Sequence, residues 1–157
     1  PRRNRNSKPA SHNRANDSFV RIIGGEWRSR KLNFPESEGL RPTPDRVRET
    51  LFNWLQAYTP AAKCLDLFSG SGALAFEALS RGAAHATLID ASRLVCNSLK
   101  QNLQELKAQN AEVLETDATQ WLLQQAKSEF RYDLVFLDPE SLAERRHRHK
   151  HTSTSSS

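Results

Sequence analysis

Cys64-Leu65-Asp66-Leu67-Phe68-Ser69-Gly70-Ser71-Gly72-Ala73-Leu74-Ala75 is the stretch on which the fold turns. A short apolar run ends in a carboxylate, passes through a Ser/Gly loop and opens into a helical pattern. It reads as a buried parallel strand, a tight turn and a helix N-terminus. Gly70 and Gly72 let the backbone take unusual dihedrals and admit a ligand that a Cβ would block. A helix starting near Ala73 points its first N–H groups at whatever lies over the loop. Gly70-x-Gly72-x-x-Ala75 also satisfies the loose dinucleotide pattern, and Asp90 lies twenty residues beyond Gly70, where a ribose-binding acid belongs. A glycine-rich turn without a ligand is the plain alternative.

Downstream the same grammar repeats. His85 to Asp90 is a second strand ending in an acid, and Ser92 to Ala108 is a helix with Ser92 as its cap and Val95, Leu99, Leu103 and Leu106 on one face. Glu112 to Thr116 is a third strand, Ala118 to Lys127 a helix around Trp121 and Leu122, and Tyr132 to Leu137 a fourth strand. Strands alternating with helices make an α/β, doubly wound and mainly parallel sheet, with ligands at the carboxyl ends of the strands. Asp66, Asp90, Asp117 and Asp138 all fall at or near those ends. Four carboxylates on one edge make a polar rim that faces a ligand.

Upstream, Leu40-Arg-Pro-Thr-Pro-Asp-Arg-Val-Arg-Glu49 is a helix entry, with Thr43 as the N-cap, Pro44 at the first helical position and Asp45 complementing the dipole. Val47, Leu51, Trp54, Leu55 and Tyr58 then recur at helical spacing and predict one buried face, leaving Arg46 and Arg48 as surface charges. Phe19 to Ile23 and Lys31 to Phe34 are two short strands around Gly24-Gly25, a small hairpin. Arg21, Arg28, Arg30 and Lys31 interleave there with Trp27 and Phe34, a cationic, aromatic ribbon suited to phosphates and bases. Residues Pro1 to Asn16 carry five cations and no acid, which reads as a disordered basic arm.

Composition narrows the class. A chain of 157 residues is long enough for one domain with a real core. Mean hydropathy is −0.70, lowered by polar ends. No apolar run approaches the ~18 residues of a membrane span, and the basic N-terminus lacks the hydrophobic segment of a signal peptide. Cys64 and Cys96 suit buried thiols in a reducing cytoplasm better than a disulfide framework.

Asp66-x-Phe68-x-Gly70-x-Gly72 resembles the first motif of S-adenosylmethionine-dependent methyltransferases acting on nucleic-acid amines, in which the leading acid serves the methionine ammonium. A dinucleotide site has no use for that carboxylate, which would face pyrophosphate. Val20-Arg-Ile-Ile-Gly-Gly-Glu-Trp-Arg-Ser-Arg-Lys-Leu32, then Gly39-Leu-Arg-Pro-Thr-Pro-Asp-Arg-Val-Arg-Glu-Thr-Leu-Phe-Asn-Trp-Leu55, then Leu65 to Leu74 resemble the bacterial small-subunit (16S) rRNA guanine-N2 methyltransferase family. The resemblance runs from about Phe19 to Pro139. It implies a Rossmann-like methyltransferase fold with an N-terminal β-hairpin, and S-adenosyl-L-methionine as cofactor. Asp66, Phe68, Gly70 and Gly72 would hold the methionine end, Asp90 the ribose, and Asp117 with Ala118 the adenine. Asp138 and Pro139 open the family's Asp-Pro-Pro-aromatic motif, whose carboxylate and proline carbonyl accept the two hydrogens of the target amine while the aromatic stacks on the flipped base. Arg21, Arg28, Arg30, Lys31, Arg41 and Arg46 would contact RNA.

The chain departs from the family at Glu140-Ser141, where a second proline and an aromatic belong. From there to Ser157 Leu142 is the only large apolar residue, and the segment reads as the product of a frameshift or premature end. His147, His149 and His151 read as part of this Ser-rich tail rather than as metal ligands. The expected organisation is a basic arm at 1–18, a hairpin extension at 19–42, an incomplete methyltransferase domain at 43–139 lacking the C-terminal part of its sheet, and a disordered, non-homologous tail at 140–157. The expected activity is methylation of a guanine N2 amine in small-subunit rRNA, within an assembling subunit, by a cytoplasmic monomer without membrane contact or metal. Two other readings stand beside it: a catalytically inactive remnant with weak RNA binding, and a nicotinamide-dependent dehydrogenase.

Overall fold

The computed structural model describes residues 17–129 and 131–137. Four strands alternating with three helices follow a separate two-stranded ribbon and one α-helix. The ribbon pairs β1 (Asp17–Arg21) with β2 (Lys31–Pro35) antiparallel, Val20 opposite Leu32 and Arg21 opposite Lys31. Alternation along β2 buries Leu32 and Phe34 and exposes Lys31 and Asn33. The first strand thus ends at Arg21, two residues before the expected Ile23, because Gly24 and Gly25 turn away to dock on another element.

The main sheet is wholly parallel: β3 (Lys63–Leu67), β4 (His85–Asp90), β5 (Ala111–Glu115) and β6 (Leu134–Leu137), in the spatial order β5-β4-β3-β6. The chain winds outward through β4 and β5, then returns to the far side of β3. That reversal puts a topological switch point between β3 and β6, where open α/β sheets bind ligands beyond the strand ends. Register fixes Asp66 beside Phe136 and Leu88. Helices α2 (Ala73–Ser80), α3 (Arg93–Glu105) and α4 (Ala118–Gln125) connect the strands. Ser92 caps α3 as expected, its Oγ accepting from Val95 N at 3.3 Å, and Asp117 caps α4 through Gln120 N at 3.0 Å.

One face of the sheet carries the larger core. Val20, Ile22, Leu32 and Phe34 of the ribbon pack with Phe52, Cys64, Phe76, Leu88, Leu99 and Phe136. The hairpin therefore shares its interior with the sheet. The opposite face holds a smaller cluster of Leu65, Leu67, Ile89, Ala118 and Trp121. Among the described residues β5 and β6 are the edges of the sheet, and Val135 and Leu137 on β6 are about half exposed.

Helix α1 (Asp45–Trp54) differs most from its reading. Pro44, not Thr43, occupies the cap position, and no side chain bonds there. Val47, Trp54 and Tyr58 lie in solvent, Trp54 at 76% exposure, whereas Phe52 and Arg48 are buried. Phe52 wins because its ring meets Phe136 at 5.8 Å and the Arg81 guanidinium at 5.4 Å. Arg48, read as a surface charge, reaches beneath the ribbon, and its Nη2 donates to Arg21 O at 3.0 Å and to Asp45 Oδ1 at 2.6 Å. Asp45 lies one turn back on the same helix, but Arg21 lies outside any helical repeat. No helix among the described residues is long and apolar enough to cross a membrane.

Candidate functional site

The glycine loop follows β3 directly and is held by its own polar groups. Ser69 N donates to Ile89 O at 2.9 Å, extending the sheet by one rung, and Ser69 Oγ donates to Asp66 O at 2.8 Å. Gly72 N closes a turn onto Ser69 O at 2.8 Å. Phe68, Gly70 and Gly72 all have positive φ, at 57°, 55° and 76°. For Phe68 that conformation costs about 1–2 kcal/mol, and such strain concentrates where a backbone must present itself to a ligand. At Gly72 a Cβ would come within 2.7 Å of the Leu99 and Phe76 side chains, so glycine lets the start of α2 pass this close to α3.

Asp90 ties the loop to the neighbouring strand. Its Oδ2 accepts from Gly70 N at 3.0 Å and its Oδ1 from Ser92 N at 3.0 Å, with the residue 1% exposed. The acid twenty residues beyond the loop is thus a structural clasp as well as a rim carboxylate. Asp66 is also buried, one register position from the end of β3, while Asp117 and Ala118 open α4 at the end of β5.

Asp66 borders a narrow cleft with about 20 Å³ of free space, lined by Asp66, Phe68, Ser69, Gly70, Ser71, Ala73 and Leu74 on one side and by Leu40, Arg41, Pro42 and Thr43 on the other; Asp90, Asp117 and Ala118 are not among its lining residues. The segment before α1, read from sequence as a helix entry, is therefore a wall of the cleft. A Cβ on Gly70 would touch Leu40 at 3.4 Å. Leu-Arg-Pro-Thr has no periodicity to mark it as a wall, and its contact lies thirty residues away.

Beneath the cleft Cys64 is fully buried. Desolvation, reinforced by the negative charges of Asp133 and Asp66, pushes its thiol up to about 11. It is a packing residue with no thiolate to offer at neutral pH. Among the described residues no group of acids, histidines and cysteines is arranged to hold a metal ion.

The basic residues separate into two places. Arg21 and Lys31 face outward from the ribbon, directly opposite each other, and both cations lie over the ring of Phe19, at 5.7 and 4.5 Å. Arg28 and Arg30 are exposed on the turn, and Arg41 and Arg46 are exposed around the start of α1. The aromatic partners differ from expectation. Phe34 is buried and Trp27 packs towards Phe76, ring centres 6.5 Å apart, whereas Phe19 is 52% exposed. The outward face consists of residues 19, 21, 31 and 33, set by strand alternation. Asp138 and Pro139 lie outside the described residues, as do residues 1–16 of the arm and the histidine tail, while Asp17 and Ser18 begin β1.

Comparison with known proteins agrees with this geometry. The model of the family described as Conserved hypothetical protein 95 matches residues 20–144. Ribosomal RNA small subunit methyltransferase D of Escherichia coli K12 is 54% identical over 127 residues, covering 81% of this chain and 63% of that protein. The chain thus spans less than two thirds of that relative's length. The solved structure of the E. coli protein yhhF superposes with a TM-score of 0.71 at 54% identity, covering 78% of this chain and 65% of that one. An S-adenosylmethionine-dependent methyltransferase of Agrobacterium tumefaciens, 19% identical, shares the fold alone, with a TM-score of 0.60 over 79% of this chain and 40% of its own. With a clasped glycine loop at the switch point, a docked hairpin and the family's sequence along most of its length, the chain belongs to the Conserved hypothetical protein 95 family and is a homologue of ribosomal RNA small subunit methyltransferase D.

Proposed function

We propose that the chain binds S-adenosyl-L-methionine in the cleft between the glycine loop and residues 40–43, and that its architecture serves methylation of the exocyclic N2 amine of a guanine in small-subunit ribosomal RNA. The observation that carries this reading is the clasp of Gly70 N by Asp90 at a switch-point cleft that also contains Asp66. The donor set fits the cofactor's chemistry. The Asp66 carboxylate suits an ammonium, the opened backbone at Phe68 to Gly72 suits a close approach, and Asp90 and Asp117 at the ends of neighbouring strands suit ribose and adenine. A dinucleotide is disfavoured because Asp66 would confront its pyrophosphate.

The bound cofactor supplies a methyl group activated on a sulfonium. The remaining work falls to this chain's residues. Asp138 and Pro139 accept the hydrogens of the target amine and direct its lone pair, so that alignment and exclusion of water lower the barrier without a covalent enzyme intermediate. Arg21, Arg28, Arg30, Lys31, Arg41 and Arg46 neutralise phosphates and orient the RNA. The relatives' names supply ribosomal RNA, and the choice of guanine N2 rests on the motif resemblance. An assembling subunit is the proposed substrate, and a cytoplasmic monomer the proposed working form.

A second reading has its own support. Glu140 and Ser141 replace the family's proline and aromatic, and β6 ends the described sheet with half-exposed Val135 and Leu137. On that reading the chain binds cofactor and RNA and transfers no methyl. One experiment separates the possibilities. The chain is titrated with S-adenosylhomocysteine by calorimetry, then incubated with radiolabelled cofactor and E. coli small subunits, whose RNA is digested to nucleosides. N2-methylguanosine supports the first reading, and binding without product supports the second. Absence of cofactor binding, with NAD bound instead, overturns both.

A further inference from the structure

Helix α2 has two ends with different work. Its N-terminus abuts the glycine loop, and eight residues later, roughly 12 Å away at 1.5 Å per residue, its C-terminal half holds the hairpin. The hold is polar and buried. Glu77 is fully buried, its Oε1 accepting from Ile23 N at 2.8 Å and its Oε2 from Gly24 N at 3.0 Å. Arg81 Nε donates to the same Oε2 at 3.0 Å, and the Arg81 guanidinium lies against both Gly24 and the Phe52 ring. One turn further, Ser80 Oγ donates to Gly24 O at 2.6 Å and accepts from Trp27 N at 2.9 Å, while Ser80 O accepts from Glu26 N at 2.8 Å. Gly25 sits so close that a Cβ would fall 2.0 Å from Ser80 O.

We infer that Glu77 and Ser80 are positioning residues for RNA, fixing the orientation of the cationic hairpin relative to the cofactor loop at the other end of the same helix. This rests on the proposed reading of the hairpin as an RNA contact. Burying a carboxylate is costly, and apolar residues of similar volume commonly do as well where packing is all that is required. Two adjacent backbone N–H groups engaged by the two oxygens of one carboxylate admit a single orientation of the turn, which grease would leave loose. That turn carries the exposed Arg28 and Arg30. The ribbon's remaining anchors are carbonyls: Arg21 O takes Arg48, and Asn33 O takes Ser98 Oγ at 2.8 Å and Asn102 Nδ2 at 2.9 Å from α3. Besides the Glu77–Ser80 set, the turn is held among the described contacts by Arg30, whose Nη2 donates to Glu105 O of α3 at 3.4 Å; the Glu77–Ser80 set alone grips the turn's backbone N–H groups from another element.

The test measures two affinities on Glu77→Gln, at a temperature where circular dichroism shows the variant folded. Fluorescently labelled small-subunit rRNA from E. coli is the first probe and S-adenosylhomocysteine the second. Glu77→Gln keeps the volume and replaces one acceptor with a donor. The expected result is RNA binding weakened about tenfold with S-adenosylhomocysteine affinity within twofold of the parent. Ser80→Ala should act in the same direction, about threefold, and carries the test if Glu77→Gln does not fold. Unchanged RNA affinity in the folded variants, while Arg28→Ala/Arg30→Ala weakens it, overturns the inference alone. Parallel loss of both affinities also overturns it, because Glu77 would then support the whole domain. If the arginine variant leaves RNA binding unchanged, the RNA reading of the hairpin falls, and this inference with it.

Discussion

Asp90→Asn is the substitution that tests the clasp most directly. The side chain keeps its shape, so packing is preserved and only hydrogen bonding changes. In the native protein each carboxylate oxygen accepts from a backbone N–H, Gly70 on one and Ser92 on the other, both at 3.0 Å in a residue 1% exposed. Asparagine retains one acceptor and turns an NH₂ towards the other N–H. A hydrogen bond to a charged group contributes about 1.5–3 kcal/mol, and a buried donor left facing a donor costs about 1–3 kcal/mol more. Relief from burying a charge offsets part of this, leaving a net loss of about 2–4 kcal/mol, a large share of the ~5–15 kcal/mol of a typical domain. Urea denaturation followed by Trp fluorescence reads it as a lower midpoint with an unchanged slope. Amide rotation favours keeping the oxygen on Ser92, the helix-entry bond, so Gly70 loses its partner and S-adenosylhomocysteine affinity falls at least about tenfold, equivalent to ~1.4 kcal/mol. A loss of stability below about 0.5 kcal/mol, the level of an ordinary surface change, would refute the claim that Asp90 clasps the loop.

Gly25→Ala should destabilise the fold by at least about 3 kcal/mol, since it combines a φ of 81° with a collision against a backbone carbonyl at 2.0 Å, and thermal melts will show it. Stability should fall between pH 9 and 11 as Cys64 titrates: its folded pKa of about 11 stands above the unfolded 9.0, so the unfolded chain releases its proton first. The contribution is fully present below pH 9 and lost as the pH passes through 11, roughly 2–3 kcal/mol in all, and a Cys64→Ala control should lack this part of the decline. Val135→Lys should reduce concentration-dependent self-association in light scattering, because a charge on an apolar strand at the edge of the described sheet opposes strand pairing.

The parts of the fold carried by local pattern were legible. Lys63 to Leu67 and His85 to Asp90 announce buried parallel strands by short, mostly apolar runs, and Ser92 announces its helix by the chemistry of a cap. The loop glycines and the acids at strand ends followed from the same grammar. The errors lie where distant partners decide. Periodicity gave α1 the face of Val47, Trp54 and Tyr58, yet the helix stops at Trp54, and the sheet accepts Phe52 because Phe136 and Arg81 are there to receive it. Arg48 is buried because a carbonyl twenty-seven residues earlier needs a donor. Glu77 had no signature at all, since its acceptors' partners are backbone amides 53 and 54 residues away. A ribbon pattern could show which strand residues alternate, and it could not show that Phe34 faces inward while Phe19 faces out.

The docking of the hairpin also bears on how the chain is made. Val20, Ile22, Leu32 and Phe34 leave the ribosome well before the groups that cover and bind them. Asn33 waits 65 residues for Ser98 and 69 for Asn102, and the turn waits more than 50 for Glu77. At ~5–20 residues per second these gaps last about 3–14 s, much longer than the microseconds in which a hairpin forms. The nascent ribbon therefore forms early and stays greasy on one side until α3 has emerged, a window in which a holding chaperone has a surface to recognise and a stalled chain has one to aggregate through.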